Sequence, residues 1–325
     1  MTIEAELHHV QQLIARERLS LDACARGRTC FLSHIGAASK LVPGPWIAHR
    51  DLIYALALAN LSPPQRTALA RSVLVDHGRE FGVGRLALST LPSGLPLGGS
   101  AVRLHPRGGG PVCLYTWALG EQAGHAGCEW LLLRAEPTWS LGQPPSPLTA
   151  QALATLHALG ASVTILVDTA SAARQVADRC LASVPFTAHP RFLPHLEGHD
   201  AHAAVRLWPH DAVAAPGFWP VPKDRSKRDQ PPSGAVLLVD APEPVRQQVH
   251  AWHAGLPDPR GVEIAGASCP GRLDRPGLAR LWQACERPQI LLRGDPEWSG
   301  GARRFLQELG ARVESQAQGT QLPLL

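Results

Sequence analysis

The chain reads as a two-part α/β protein, and two features of the sequence carry that prediction. Between Arg85 and Thr116, short β-forming runs (Arg85–Leu91, Gly99–Leu104 and Val112–Thr116) are separated by Gly/Pro turns. Beyond the Pro/Ser-rich break Leu141-Gly-Gln-Pro-Pro-Ser-Pro147, helix and apolar strand alternate, the βαβ signature of a parallel sheet.

Taken in order, residues 5–17 place Leu7, Val10, Leu13 and Ile14 at helical spacing and predict a short amphipathic helix or an irregular N-terminal arm. Leu19–Asp22 and Thr29–Leu32 predict short strands, and Pro45–Ala48 a third. Asp51–Ala59 predicts a helix with an acid near its positive end. Trp130–Arg134 closes the β-rich part. The second part opens with a helix over Thr149–Leu159, an apolar strand over Ser162–Val167 and a helix over Thr169–Leu181. Residues 219–233 form a polar, Pro-bounded loop before the strand Ala235–Val239 and the helix Pro244–His253. The tail holds a helix (Arg275–Cys285), a strand (Gln289–Arg293), a helix (Gly300–Leu309) and a strand around Arg312–Glu314.

The composition bounds the function classes. With 325 residues, 45% hydrophobic and 18% charged, the chain can bury one large or two ordinary cores, which excludes global disorder. The net charge of +4 permits a polyanionic partner without demanding one. Lys occurs only at 40, 223 and 227, and the remaining positive charge is Arg, as an Ala/Gly/Pro/Arg-rich coding bias also produces. Seven Cys without a C-x-x-C pair argue for reduced thiols rather than a disulfide framework or a zinc ribbon. The acidic start Met1-Thr-Ile-Glu-Ala-Glu is not a signal peptide and no run is long enough to span a bilayer, so the expectation is a cytoplasmic protein with no membrane partner.

The motifs that stand out are chemically incomplete. Thr29 to Leu32 ends in Ser33-His34, followed by Ile35-Gly36-Ala37-Ala38-Ser39. Leu19-Ser-Leu-Asp22 precedes it as a strand ending in an acid. Further on come Gly94-Leu-Pro-Leu-Gly-Gly-Ser-Ala-Val102, Cys113-Leu-Tyr-Thr-Trp-Ala-Leu119 and Cys128-Glu-Trp-Leu-Leu-Leu-Arg-Ala-Glu136-Pro-Thr138. The C-terminal third adds Arg260-Gly-Val-Glu-Ile-Ala-Gly-Ala-Ser268-Cys-Pro-Gly271 and Pro288-Gln-Ile-Leu-Leu-Arg293-Gly294.

In this order the segments resemble the metallo-β-lactamase/β-CASP nucleases, and among them the bacterial ligase-associated DNA exonucleases. The resemblance implies a metallo-β-lactamase-like αββα sandwich from residues 1–140 and 256–325, with a β-CASP-like parallel α/β domain inserted at 141–255. It also implies a two-zinc site whose ligands this chain has lost. Asp22 and His34 are vestigial positions. Gly36, Ala38 and Ser39 stand for the second His, the Asp and the third His of an H-x-H-x-D-H loop. Leu95 or Pro96, Ala118, Cys269 with Pro270, and Arg293 replace further ligands, while Glu136 and Thr138 match. A dinuclear site needs several convergent ligands and a bridging carboxylate, because the two cations repel each other. No residue is therefore assigned a catalytic or metal-binding role, and no cofactor is expected.

The function expected is a catalytically silent nuclease homologue that binds nucleic acid or serves as a scaffold in DNA repair or RNA processing. Its partners would be single-stranded DNA or RNA, or an active nuclease paralogue, ligase or helicase. Arg293 is the candidate phosphate-binding residue at the emptied site. The basic run Lys223, Arg225, Lys227 and Arg228, downstream of Trp208, Phe218 and Trp219, supplies further candidates. One alternative is an active hydrolase or exonuclease holding zinc or manganese with histidines 189, 195, 199, 202 and 210. Those histidines lack an H-E-x-x-H frame and read first as solvated loop residues. Another is a pure protein–protein module. His34 reads as a capping or buried hydrogen-bonded His, Asp22 as a loop-orienting acid, and Trp46, Trp117, Trp130 and Trp282 as packing residues.

Overall fold

A computed structural model describes residues 11–22, 27–36, 45–140, 145–158, 162–200, 203–214, 234–255, 262–294 and 296–315. The chain divides into two compact units, residues 1–144 with 271–325, and residues 145–270. The fold is α/β with parallel and mixed sheets, as expected from the alternating pattern.

The first unit carries two sheets. Strands β1 (Leu19–Leu21), β2 (Thr29–Phe31), β3 (Trp46–His49) and β4 (Val73–Val75) form an all-parallel sheet in sequence order. The second sheet begins with the meander β5 (Glu80–Val83), β6 (Leu86–Pro92), β7 (Ser100–Pro106) and β8 (Cys113–Thr116), antiparallel throughout. Strands β9 (Trp130–Arg134), β15 (Gln289–Arg293) and β16 (Val313–Ser315) extend it in parallel beyond β8.

One core lies between these sheets. Leu19, Leu21, Phe31, Ile47 and Val75 meet Leu86, Leu88, Val102, Leu104, Trp130 and Leu132, with Leu13 and Ile14 of the helical stretch 11–16 joining them. The opposite face of the seven-stranded sheet is covered by α6 (Arg275–Ala284) and α7 (Pro296–Glu308), through Leu278, Leu281, Trp282, Trp298, Ala302 and Leu306. Helix α1 (Arg50–Leu58) buries Leu52, Ile53 and Leu56 and contacts β3 and β4, followed by α2 (Pro63–Ala70). The layers of this unit thus run helix, sheet, sheet, helix, because each sheet has two apolar faces to cover.

The second unit is a five-stranded, all-parallel sheet ordered β11-β12-β10-β13-β14. Its strands are β10 (Ser162–Val167), β11 (Phe186–Ala188), β12 (Val205–Pro209), β13 (Gly234–Val239) and β14 (Val262–Ala267). Helices α3 (Ala150–Ala158) and α4 (Ala170–Cys180) lie on the face whose core includes Leu153, Val176 and Ile165, while α5 (Glu243–Ala254) packs Val249 on Leu166, Val236 and Leu238 of the other. The expected boundary at 255 falls inside this unit. The reason is β14, which pairs with β13 over six residues.

Candidate functional site

The parallel sheet of the first unit ends, strand by strand, in a polar residue. Asp22 follows β1, Ser33 and His34 follow β2, His49 ends β3, and Asp76 and His77 follow β4. Backbone groups at the C-terminal edge of a parallel sheet are not consumed by the ladder, so polar side chains gather there.

Asp22 is the centre of the first cluster. Its backbone is left-handed (φ 53°), a conformation Asp tolerates better than most residues. Its carboxylate accepts the Ser33 N–H at 2.7 Å, the Ser33 hydroxyl, and the Tyr115 hydroxyl at 2.8 Å. Tyr115 belongs to β8, so this bond joins the two sheets. Burial pushes the Asp22 carboxyl up to about 6, against the opposing pull of the Ser33 and Tyr115 hydrogen bonds. Burial and the Asp22 charge together hold the Tyr115 phenol well above its ordinary value, so it stays a neutral donor.

His34 adjoins this group. Its Nδ1 lies 3.0 Å from Ser33 Oγ and 3.9 Å from Asp22 Oδ2. With the one hydroxyl hydrogen of Ser33 directed to Asp22, Nδ1 is the donor of the 3.0 Å bond. The order differs from a nucleophile–base–carboxylate relay: Ser33 is buried and gives its proton to the carboxylate rather than to the imidazole. His34 stacks on Trp117 (ring centroids 5.7 Å apart, 11° between planes), and the Arg134 guanidinium lies 5.0 Å from the centre of the same indole. Arg134 and Arg293 are register partners at the ends of β9 and β15. Burial lowers Arg293 to about 10, opposed by Tyr115, so it is cationic at neutral pH.

The sequence reading missed the second cluster. The His49 and His77 rings stack at 4.0 Å, and His49 Nδ1 accepts the Asp51 N–H at the start of α1. The Ser100 hydroxyl donates to Gly98 O, so His77 Nε2, 3.0 Å away, donates to it. Burial and the neighbouring His49 lower the pKa of His77. Ser100 N–H in turn donates to Ser33 O at 2.8 Å, tying this cluster to the first. The available signal was positional: a His at or just after each of three successive parallel strands.

The other positions singled out in the sequence are placed as follows. Leu95 and Ala118 are buried and apolar, and Pro96 is half-buried. Gly94 and Gly120 approach so closely that a Cβ on Gly120 would lie 2.2 Å from Gly94 O. Glu136 faces Arg272 at 3.8 Å with both side chains buried, and Thr138 donates to Leu273 O. Ser268 and Cys269 belong to the second unit, where the Cys269 N–H donates to Asp240. Ala38, Ser39, Lys223, Arg225, Lys227, Arg228, Phe218 and Trp219 lie outside the described residues.

Two of the histidines expected to be solvated are not. His195 is buried, and His210 is buried with Nε2 in reach of Leu166 O and Val239 O, where it bridges the ends of β10 and β13. His189 packs edge-on against Phe192 and Trp208, His199 is exposed, and His202 is outside the described residues. The described residues contain no group of three or more His, Cys, Asp or Glu side chains arranged to hold a metal ion, and no helix long and apolar enough to cross a membrane. Trp117, read as a packing residue, is half-buried with His34 on its face.

No protein-family profile and no curated protein matches the chain. Among solved structures it is similar to a crystal structure described as a protein of unknown function from Enterococcus faecalis V583. The TM-score is 0.53 and the identity 12%, over 90% of this chain and 80% of that one. At that identity the likeness concerns the fold alone.

Proposed function

We propose that this chain is a catalytically silent relative of the metallo-β-lactamase/β-CASP nucleases, and that it binds single-stranded nucleic acid at the strand-end site of its first unit. The observation that carries this reading is the pairing of Arg134 and Arg293 on one rung of the sheet beside the Trp117–His34 stack. Two guanidinium groups suit phosphate oxygens. The side chains do not fit two zinc ions. Asp22 is bound to Ser33 and Tyr115, Leu95 and Ala118 offer no donor atom, and Arg293 puts a cation where a ligand would be needed.

The test is titration of labelled single-stranded DNA and RNA over a range of salt concentrations. Binding weakens steeply with salt, and Arg134→Gln and Arg293→Gln each reduce the slope of log K against log salt by about 1. Trp117→Ala removes the ring against which His34 and Arg134 lie and weakens binding. Binding that ignores salt, or that none of these changes touches, overturns the reading. So does zinc- or manganese-dependent cleavage abolished by His34→Ala.

A further inference from the structure

The first unit leaves apolar side chains uncovered along one edge. Among the described residues the exposed large apolar side chains are Tyr54, Leu58, Val73, Leu74 and Leu309, and the first four are each half or more exposed. Those four belong to α1 and β4, two elements in contact with each other. Tyr54 and Leu58 stand at i and i+4, so they share one side of the helix. Strand β4 ends its sheet: it is bonded to β3 on one side and to no described strand on the other. Its residues, Val73-Leu74-Val75, include none of the charges or prolines that commonly guard a free edge. Val75 faces the core between the sheets, which puts Val73 on that inner face and Leu74 on the outer face, where α1 lies. Exposed apolar groups clustered in this way mark an interaction surface.

The charges at the two ends of β4 say what fits it. Arg71, exposed, precedes the strand, and Asp76 follows it. The segment is therefore complementary to itself when reversed. Laid antiparallel about a two-fold axis at Leu74, two copies set Leu74 against Leu74 and Val73 against Val75, on matching faces of one continuous sheet. The Arg71 end of each copy then lies beside the Asp76 end of the other. Asp76 already accepts Arg50 of its own copy, Nε to Oδ1 at 2.6 Å and Nη2 to Oδ2 at 2.8 Å, and its oxygens have further lone pairs for a second guanidinium. A parallel arrangement would set Arg71 against Arg71, which like-charge repulsion disfavours. A lipid surface or a foreign strand would gain from the apolar residues alone, whereas a second copy satisfies the charge order as well.

We propose that the chain forms a two-fold symmetric dimer, in which the β4 edges of two copies pair antiparallel and Tyr54 and Leu58 of α1 pack beside the joint. Three residues of backbone pairing are little on their own, and the helix side chains supply the further apolar area that makes the contact stable. Because the same patch serves both copies, the contact closes on itself and stops at two.

The experiment is sedimentation equilibrium of the full chain over a range of concentrations, which should show a monomer passing into a dimer and nothing larger. Leu74→Lys places two like charges face to face on the axis and should raise the dissociation constant at least about tenfold. Arg71→Glu should weaken the dimer too, while Leu309→Lys, exposed elsewhere, leaves it unchanged. Directly opposed residues of antiparallel strands have Cα atoms about 4.5–5.5 Å apart, within the span of a disulfide. Mild oxidation of Leu74→Cys should therefore give a covalent dimer linked through position 74, and Leu309→Cys should not. A chain that stays monomeric up to its solubility limit overturns the proposal, and so does a dimer that Leu74→Lys or Arg71→Glu leaves intact. Equal linking of Leu74→Cys and Leu309→Cys overturns it as well. A monomer that binds phosphatidylcholine vesicles, and loses that binding in Leu74→Lys, assigns the patch to a lipid surface instead.

Discussion

Asp22 holds a carboxyl group in a buried position whose bonds suit its charge and whose surroundings oppose it. It titrates near 6 in the fold against 3.8 in an open chain. The folded state therefore binds this proton more tightly than the unfolded chain does. That contribution to stability is fully present below about pH 4 and is lost as pH rises through 6, amounting to about 3 kcal/mol. Asp22→Asn keeps an oxygen acceptor for the Ser33 N–H, tolerates φ 53° and carries no charge. Relative to wild type, the variant should gain about 3 kcal/mol between pH 4 and pH 7, read from urea midpoints across that window. A constant difference would mean that Asp22 does not titrate there. Single residues of this site were unevenly legible. Asp22 and His34 were visible because a strand end announces itself through hydrophobic pattern. Ser33, Tyr115 and Arg134 were not, because their roles come from the neighbouring sheet, which no local spacing reveals.

At the scale of elements, the turn between β6 and β7 joins the strand-end clusters to α1. Gly98 has φ 73°, and a Cβ built there would lie 2.3 Å from the backbone nitrogen of Leu52, inside the first turn of α1. Backbone cannot step aside as a flexible side chain would. Gly98→Ala should therefore cost about 3 kcal/mol, from left-handed strain together with displacement of the helix. The measurement is the urea midpoint, with Gly108→Ala, which meets open space, as the control expected to stay near wild type. Equal effects of the two would refute the close-approach account. Strongly apolar strands were legible almost to the residue, as at Trp130–Arg134, Ser162–Val167 and Gln289–Arg293. The short elements α2, β4, β5, β11 and β12 were not. Val73 and Leu74 of β4 are exposed, and the three residues of β11 carry too few alternations to define a period.

For the whole molecule, the two units differ in how the chain builds them. All five strands of the second unit's sheet and the helices α3, α4 and α5 come from one continuous segment, 145–270, whereas the first unit needs residues from both sides of that segment. The second unit also has its own core, from Leu148 to Cys269, and its sheet is paired internally from β11 to β14. Its Pro/Ser-rich entry was plain in the sequence. Its exit was not, because β14 follows a helix as any crossover strand does, and only its pairing with β13 assigns it. A core of this size on about 126 residues is ample for independent folding. The fragment 145–270 should therefore be monomeric and show one cooperative urea transition by circular dichroism. A fragment ending at 255 loses β14 and uncovers one edge of β13, so it should lose cooperativity or aggregate. If both fragments unfold alike, β14 is dispensable to the sheet, and the unit ends where β13 and α5 leave it. If only the longer one is cooperative, the insertion is a self-sufficient body whose last strand completes it.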